Sequence, residues 1–556
     1  MYEIFVFISK KKISLQKIII MRVVFAKSKI VIVMAIMMVL VCCGCNHDQK
    51  VDEGFVYIED GVFKIDGGTF FPLMLNYKLE LMDFDGNMVF AAAKYYDNYD
   101  IYESTTKEEA ADQFSGHMQL IEELGFNTVR LCMNVISKDD NGYYYKTQNS
   151  RVYLKENTKK ITEAVKEMVS IAESHNLKVM LLLMPSWDDE LTEFNTALMK
   201  HLSNEKAIFA FDLMNEPLYF DIVRDRKKAD AVKTASNWVK NAKKAAPSHL
   251  VTIGFAEPIE VFSWDASMIP IDFVQFHTYN PLSIPNETLW WSKYIGKPWM
   301  IGETSLPADN DSVSYEQQRF FAEQAYQYVI DCGGIGFGWW EFQDVPESYG
   351  INYEGTFSGI LNHKGITTTK AGHVIQGTLK SVAYSFAKFK PMKKGEPVKA
   401  VNYYNNFGYH NAVIRGRIVD DKTGKPIEGA AVRGWNKWWR TGLNTCTDKD
   451  GIFNLYSNDE CVHFAISAPG METKRFDLSL EYCNENGEID DFTDLPNRDI
   501  KSSMVSYQSF LKDENKLFEF KEGEFDKAVI FADMGEIRLV KLNKIQQFKD
   551  EKNEYQ

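Results

Sequence analysis

Apolar and polar positions follow two rhythms along the first two thirds of the chain. "AADQFSGHMQLIEELG" (110–125) repeats its apolar residues at helical spacing and ends at a glycine, and the apolar segment "FNTVRLCMN" follows as a strand. The same helix and strand unit returns before "LKVMLLLM", "AIFAFDLMN" and "HLVTIGFAE". Counting "FPLMLN", "DFVQFHTYN" (272–280), "PWMIGET" (298–304) and "GIGFGWWEF" (334–342), eight strands alternate with helices. Continuous apolar strands of this kind are typical of a parallel sheet covered by helices.

Eight such units between residues 55 and 395 predict an α/β fold, a (β/α)₈ or TIM barrel with extra loop length. The alternative is an open doubly wound sheet, which would carry a glycine-rich phosphate turn after its first strand, and none follows here. Ahead of the barrel, "VYIEDGVFKIDGG" alternates around two turn signals and predicts a short hairpin.

A second module is predicted at 408–480. Its sequence "AVIRGRIVDDKTGKPIEGAAVRGWNKWWRTGLNTCTDKDGIFNLYS" has short alternating strands between turn signals, which predicts a small all-β sandwich. It resembles the carboxypeptidase regulatory-like domain, a non-catalytic accessory domain. Within it, Trp435, Trp438 and Trp439 suit either a sugar-binding surface or a patch that docks on the barrel, and docking is favoured. Residues 481–556 form a strand-rich C-terminal extension with no further assignment.

The N-terminal segment 1–45 reads as a secretion signal. The basic "MRVVFAKSK" is followed by the apolar "IVIVMAIMMVLV" and a cysteine cluster, and the first twenty residues are expected to be an upstream extension of a start at Met21. The cluster resembles a bacterial lipobox, which implies lipidation of Cys45, with Cys43 as the alternative. Residues 46–54 would be a tether. The expected location is outside the cytoplasm, on a membrane at the cell surface or its periplasmic face; a plain cleaved signal or short anchor is the alternative.

Composition and net charge restrict the classes of molecule that the protein is expected to bind. The 556 residues are 45% hydrophobic and carry a net charge of −14, which argues against nucleic acid as a partner and fits a neutral or cationic small-molecule or polymer substrate. The remaining cysteines lack metal-ligand spacing, so no metal or other cofactor is expected, although one bridge from Cys461 to Cys446 or Cys483 is open. Nothing indicates the oligomeric state.

Polar residues gather where the predicted strands end, which is where a barrel of this kind performs catalysis. They are Arg130, Asn215, Glu216, His277, Tyr279, Glu303, Trp339 and Trp340. Two carboxyl groups with aromatic platforms suit glycoside hydrolysis, in which one group protonates the leaving oxygen and the other attacks or activates water. Of the two adjacent tryptophans, Trp340 is favoured for the mouth, because only one of two successive strand residues can face it.

The motifs "LMNEP" and "IGET" resemble the acid/base and nucleophile motifs of retaining (β/α)₈ glycosidases, and glycoside hydrolase family 5, the cellulase and mannanase family, is the nearest. The resemblance spans most of residues 60–345. It implies that Glu216 is the acid/base and Glu303 the nucleophile. By the same resemblance, "GFNTVR", "HTYNP" and "WWEFQD" supply substrate-site residues, which with Asn215 of "LMNEP" are Arg130, Asn215, His277, Tyr279 and Trp340. The resemblance implies that Arg130 bonds the nucleophile, and Arg130 and the Tyr279 hydroxyl would keep Glu303 ionised by charge and hydrogen bonding. Asn215 would bond the sugar 2-hydroxyl, and Trp340 would stack on the sugar.

Two stretches depart from the family pattern. After the third strand, "LLLMPSWDDE" has Trp187 where many members have histidine, which resembles the β-mannan-cleaving members and adds Trp187 to the expected substrate contacts. A β-mannan or β-glucan is therefore the expected substrate. The first βα loop, predicted over 81–109, holds Tyr95, Tyr96, Tyr99 and Tyr102, which are expected to pack the loop rather than wall the cleft.

Two other functions compete with glycoside hydrolysis. The first is a catalytically weak or inactive carbohydrate-binding lipoprotein on the same barrel, against which both glutamates and the arginine speak. The second is a metallopeptidase, suggested by the regulatory-like module. None of the ten histidines begins an H-x-x-E or H-E-x-x-H pattern, so that reading has no support.

Overall fold

The computed structural model describes residues 53–93, 104–148, 150–223, 226–279, 284–345, 353–389, 412–436, 442–457, 461–477 and 530–542. The signal segment, the tether up to residue 52 and the candidate lipidation sites Cys45 and Cys43 lie outside these residues, as do Trp438 and Trp439. In the part of the chain that is described, no helix has the length and apolar character needed to cross a bilayer.

The described residues between 53 and 389 contain seventeen strands. In chain order they are β1 (Val56–Glu59), β2 (Val62–Ile65), β3 (Gly68–Thr69), β4 (Leu73–Phe84), β5 (Asn87–Ala92), β6 (Thr128–Met133), β7 (Ile136–Asp139), β8 (Gly142–Lys146), β9 (Arg151–Tyr153), β10 (Lys178–Leu182), β11 (Ile208–Asn215), β12 (Leu250–Phe255), β13 (Val274–His277), β14 (Trp299–Glu303), β15 (Phe337–Trp339), β16 (Ile366–Thr368) and β17 (Val374–Gln376).

Ten helices accompany them among the described residues. They are α1 (Lys107–Glu123), α2 (Leu154–Ser174), α3 (Asp189–His201), α4 (Pro217–Phe220), α5 (Lys228–Ala245), α6 (Pro258–Trp264), α7 (Ile284–Tyr294), α8 (Tyr315–Asp331), α9 (Tyr353–Thr356) and α10 (Ala383–Phe386).

Eight of the strands close into a parallel barrel. The order is β4, β6 and then β10 to β15, and the ring closes because β15 pairs in parallel with β4, with Phe337 opposite Leu73 and Trp339 opposite Leu75. The predicted TIM barrel is therefore confirmed, and the open sheet is excluded, because an open sheet would leave β15 and β4 as unpaired edges. Every parallel strand thus ends at the same mouth.

The hairpin of β1 and β2 closes the opposite end of the barrel. It turns at Asp60 and Gly61, both with positive φ, as a two-residue hairpin turn requires. Its buried Phe63 packs edge-on against Phe209 and Phe273, with ring centroids 5.4 and 5.0 Å apart. Because Phe209 is the second residue of β11 and Phe273 directly precedes β13, this aromatic cluster fills the end of the barrel where the strands begin.

The segment after the first barrel strand differs from the long loop predicted for 81–109. β4 continues to Phe84, and β5 returns beside it in antiparallel register, with Leu79 opposite Ala92. The apolar residues of β5 are buried, and Phe90 packs edge-on against Tyr145. This part of the segment is thus a hairpin that covers apolar surface, while Tyr95, Tyr96, Tyr99 and Tyr102 lie outside the described residues.

The C-terminal β module consists of two small sheets. Its strands are β18 (Ala412–Asp420), β19 (Ala431–Asn436), β20 (Gly442–Cys446), β21 (Ile452–Ser457), β22 (Cys461–Ser467), β23 (Lys474–Asp477) and β24 (Ile530–Leu539). The sheet orders are β21-β18-β24 and β20-β19-β22-β23. β24 comes from the strand-rich extension and lies parallel to β18, so the extension contributes a strand to the module.

Cysteines behave mainly as small apolar residues. Cys132 and Cys332 are buried free thiols, and Cys446 is also a free thiol. The suggested bridge between Cys446 and Cys461 is therefore wrong, and Cys483, the other suggested partner of Cys461, lies outside the described residues.

Candidate active site

Two carboxyl groups and a histidine meet at the mouth of the barrel. Glu216 follows β11, while His277 and Glu303 are the last residues of β13 and β14. One oxygen of each carboxyl group and a ring nitrogen of the histidine all lie within 4.8 Å of one another. Three chain segments that are far apart in sequence are thus brought to one point by the parallel register of the strands.

Glu303 is held by donors on both oxygens. Its side chain is almost fully buried; Oε1 accepts from the Arg130 guanidinium and Oε2 from the Tyr279 hydroxyl. Burial by itself would raise the pKa of this carboxyl group, but the charges of His277 and Arg130 and the Tyr279 hydrogen bond outweigh it and hold the pKa below its ordinary value. Glu303 is therefore a carboxylate at neutral pH.

Arg130 lies at the centre of a buried hydrogen-bond network in the site. Its guanidinium is fully buried and donates through Nε to Asp212 Oδ2 at 2.9 Å, and Nη2 lies 2.8 Å from the same oxygen as part of the ion pair. Nη1 donates to Asn76 Oδ1 at 3.0 Å as well as to Glu303, and Nη2 donates to Asn215 Oδ1 at 2.7 Å. Because Asn215 accepts through Oδ1, its amide NH₂ group is the part that can donate to a substrate hydroxyl.

Replacing Arg130 with methionine is expected to lower the free energy of unfolding by about 3 to 5 kcal/mol, because Asp212 and Glu303 would be left as buried charges without their cation. Urea unfolding measures this loss. The matched control is Arg319→Met on α8, whose pairs with Glu316 and Glu323 are partly exposed and worth at most about 1 kcal/mol. Equal losses in the two variants would contradict the network described for Arg130.

Glu216 is half-buried and hydrogen bonded to His277, with 2.8 Å between Oε1 and Nδ1. The same nitrogen lies 3.5 Å from Glu303 Oε1, so the histidine stands between the two carboxyl groups. It fits there because β12 has a glycine beside it: a Cβ on Gly254 would lie 2.6 Å from His277 Nε2. Glu216 itself has a left-handed backbone, with φ of 41°, and its N–H donates to Gly254 O at 2.8 Å.

The two adjacent tryptophans at the end of β15 have opposite environments. Trp339 is fully buried and donates through Nε1 to Ser358 O at 3.2 Å. Trp340 is only partly buried, and Lys78 Nζ lies 4.7 Å from its ring centroid. Trp340 is therefore the more exposed of the two rings, and the two side chains have the different environments that alternation along a strand produces.

Trp187 has extensive packing partners. Its ring packs edge-on against Trp238 at 4.9 Å, and the Arg226 guanidinium lies 5.2 Å from its centroid. Arg226 is fixed in turn by two 2.7 Å hydrogen bonds to Asp221. The side chain expected to contact substrate thus also anchors the segment that follows α4.

Three further residues complete the site, and the sequence pattern alone did not single them out. They are Asn76 on β4 and Asp212 on β11, which hold Arg130, and Glu260 on α6. Asn76 and Asp212 could have been recognised as polar residues inside otherwise apolar strands. Glu260 gave no signal, because a glutamate in a short helix is ordinary.

The cluster of Glu216, His277 and Glu303 has the ligand types and spacing of a metal site. Glu303, however, already accepts from Arg130 and Tyr279 on its two oxygens. A metal cation bound there would lie beside the guanidinium charge, so the donor set does not fit a metal.

Residues 108–344 match the family model for cellulase (glycosyl hydrolase family 5). The matched residues include the barrel strands β6 and β10 to β15, and the match shows that the barrel is a glycoside hydrolase domain. A comparison with curated proteins finds no match.

Three of the solved structures similar to this chain have the following low identities and coverages. GH5_18 from Streptomyces cattleya in complex with GlcNAc is 14% identical with a TM-score of 0.40, covering 64% of this chain and 85% of that one. The exo-β-1,4-mannosidase from Opitutaceae bacterium strain TAV5 is 16% identical with a TM-score of 0.41, covering 60% and 62%. The endo-1,4-β-mannanase from Eisenia fetida is 17% identical with a TM-score of 0.35, covering 52% and 89%.

Proposed function

From the match of residues 108–344 to the glycosyl hydrolase family 5 model, we propose that the protein belongs to that family and hydrolyses β-linked poly- or oligosaccharides with retention of anomeric configuration. The observation that carries this proposal is the spacing of the carboxyl groups: an oxygen of Glu216 lies within 4.8 Å of one of Glu303. Retaining glycosidases have carboxyl groups about 5 to 5.5 Å apart, whereas inverting enzymes need roughly 6.5 to 9.5 Å to admit a water molecule.

In the first step, a Glu303 oxygen attacks the anomeric carbon while Glu216 gives its proton to the glycosidic oxygen. The bond between the anomeric carbon and that oxygen breaks, the leaving sugar departs as an alcohol, and a glycosyl ester forms on Glu303. The depressed pKa of Glu303 suits this role, because only the carboxylate is nucleophilic.

In the second step, Glu216 removes a proton from water, and the resulting hydroxide attacks the anomeric carbon of the ester. Glu303 leaves as a carboxylate, and Glu216 is protonated again, which restores the starting state. The 2.8 Å contact with His277 supports this role, because it holds Glu216 towards the position where both the leaving oxygen and the water must lie.

The remaining mouth residues suit a pyranose ring. The Asn215 amide would donate to the sugar 2-hydroxyl, a contact that strengthens in the transition state. Trp340 would stack on the C–H face of a sugar. The resemblance around Trp187 favours β-mannan, and β-glucan is the second substrate to test.

We further propose that the enzyme is exported and anchored to a bacterial membrane through a lipid on Cys45. The basic segment, apolar segment and cysteine cluster before residue 46 support this location. A substrate that is too large to enter the cell would require it.

A screen of β-mannan, β-glucan and their aryl oligosaccharides tests the proposed function. We expect release of reducing ends from at least one of these substrates, and ¹H NMR of the first product formed should show the β-anomer. Binding without any hydrolysis across the panel would favour the inactive carbohydrate-binding lipoprotein instead. An initial α-anomer would refute the retaining mechanism.

A further inference from the structure

Glu260 is a fully buried glutamate on α6, outside the cluster of Glu216, His277 and Glu303. Its two carboxylate oxygens accept from two different chain segments. Oε1 accepts from the backbone N–H of Leu218, and Oε2 from that of Ala256. Both oxygens are therefore used to hold backbone.

Those two segments are the ones that adjoin Glu216. Leu218 is two residues beyond it, in the first turn of α4, and Ala256 follows the last residue of the neighbouring strand β12. Glu216 lies between them with a left-handed backbone and donates its own N–H to Gly254 O. A backbone of that kind is costly for a residue with a side chain and persists only where its surroundings enforce it.

Burial of the Glu260 carboxyl group itself costs free energy. Burial raises the pKa of its carboxyl group well above the ordinary value, and the nearby Glu216 acts in the same direction. No cation pairs with it in the described part of the chain. Burying a carboxylate without a cation costs free energy, and hydrogen bonds have to offset that cost. The backbone N–H groups of Leu218 and Ala256 supply these hydrogen bonds.

The C-terminal β module holds α6 at both ends. Ahead of the helix, Glu257 pairs with Arg433 of β19 at 2.5 Å and also accepts from Asn444 of β20. After the helix, Asp265 accepts from the backbone N–H of Gly470 at 2.7 Å. The module thus contacts the residues on either side of the helix that carries Glu260.

Next to Asp265, a buried lysine adds to this contact. Lys228 at the start of α5 lies 3.6 Å from Asp265 and donates to Ala468 O at 2.8 Å. Both side chains are fully buried, so the contact between the barrel and the β module excludes water at this point.

We propose that Glu260 is a positioning residue for Glu216, and that the C-terminal β module supports it by fixing α6 through Glu257 and Asp265. The inference rests on the proposed function, since it assigns a partner to the acid/base. It gives the accessory module a part in catalysis, through the placement of a proton donor.

The dependence of rate on the leaving group separates positioning from general stability. A good leaving group such as 2,4-dinitrophenolate departs without protonation, whereas phenolate needs the proton from Glu216. Glu260→Gln places an NH₂ group against one of the two backbone N–H donors, so it should displace Glu216 and leave Glu303 in place. A loss confined to poor leaving groups would report a misplaced acid.

The experiment measures kcat/KM of the full-length chain on phenyl, 4-nitrophenyl and 2,4-dinitrophenyl β-mannobiosides, with β-cellobiosides as a second series. For Glu260→Gln we expect a loss of about 10- to 100-fold on the phenyl glycoside, within the span of general acid catalysis, and under about 3-fold on the dinitrophenyl glycoside. Arg433→Ala should show the same pattern with a smaller loss, because Asn444 still holds Glu257.

Asp272→Asn is the matched control. Asp272 also accepts a backbone N–H from β12, that of Val251 at 2.6 Å, but at the far end of the strand. It should leave the leaving-group dependence unchanged, and thermal unfolding of all variants reports any loss of folded protein.

The outcomes separate the two proposals. A wild-type chain that hydrolyses none of the glycosides would refute the proposed function and the inference with it. An active wild type, with Glu260→Gln losing the same factor on every leaving group, would overturn the inference alone.

Discussion

Replacing Glu303 with glutamine is expected to abolish glycoside hydrolysis while the protein remains folded. The amide cannot attack the anomeric carbon, so kcat should fall by a factor on the order of 10⁴ or more, the scale seen when an enzyme loses its nucleophile. Initial rates on the best substrate of the polysaccharide panel measure the loss. Both Arg130 and Tyr279 currently donate to this side chain, and the glutamine oxygen keeps one acceptor for them.

The Glu303→Gln variant is expected to fold like the wild type. Arg130 keeps its hydrogen bond and ion pair with Asp212, so the guanidinium does not become a buried charge without a partner. Circular dichroism and the unfolding midpoint should therefore change little. Hydrolysis at more than about one hundredth of the wild-type rate would show that Glu303 is not the nucleophile.

Replacing Glu216 with alanine is expected to reduce kcat/KM on substrates with poor leaving groups by about 10²- to 10⁴-fold, the span of general acid catalysis. Sodium azide should restore turnover of a dinitrophenyl glycoside. The small anion can occupy the space left by the half-buried side chain and attack the glycosyl ester without a general base. The restored product should be a β-glycosyl azide, identified by NMR.

Glu205→Ala is the control for this prediction. Glu205 lies ahead of β11, at the opposite end of the strand that leads to Glu216, and it pairs with Lys166 at 2.7 Å. Azide should not change its rate. If azide fails to accelerate Glu216→Ala, or if the product is the α-azide, the assignment of Glu216 as acid/base in a retaining mechanism is wrong.

Much of the barrel could be predicted because its information is local. Helices and strands recur with their own apolar periods, and α1 and α8 begin at Thr106 and Ser314, whose side chains cap the backbone as such residues do. Parallel strands joined by helices have few ways to pack, so the number of units was enough to indicate the barrel. Residues at strand ends then fall on one rim without further information.

The hydrogen-bond network around Arg130 depends on contacts between residues that are far apart in the sequence. Arg130 and Glu303 are 173 residues apart, and Arg130 and Asp212 are 82 apart. The apolar pattern gives a strand its faces but does not say which polar residue inside it will find a partner. The same limit hid the pairing of β24 with β18 and that of β5 with β4, because an apolar run does not show which strand it will pair with.

The sequence by itself determined the barrel and the rim that brings Glu216 and Glu303 together, because period and strand order are properties of the chain. Only the tertiary structure decided the further contacts: Asp212 and Asn76 on Arg130, His277 beside Glu216, and Glu260 on the backbone around Glu216. These effects depend on distance and burial. The energy of a buried charge changes steeply over a few ångströms, and those distances exist only once the strands have closed.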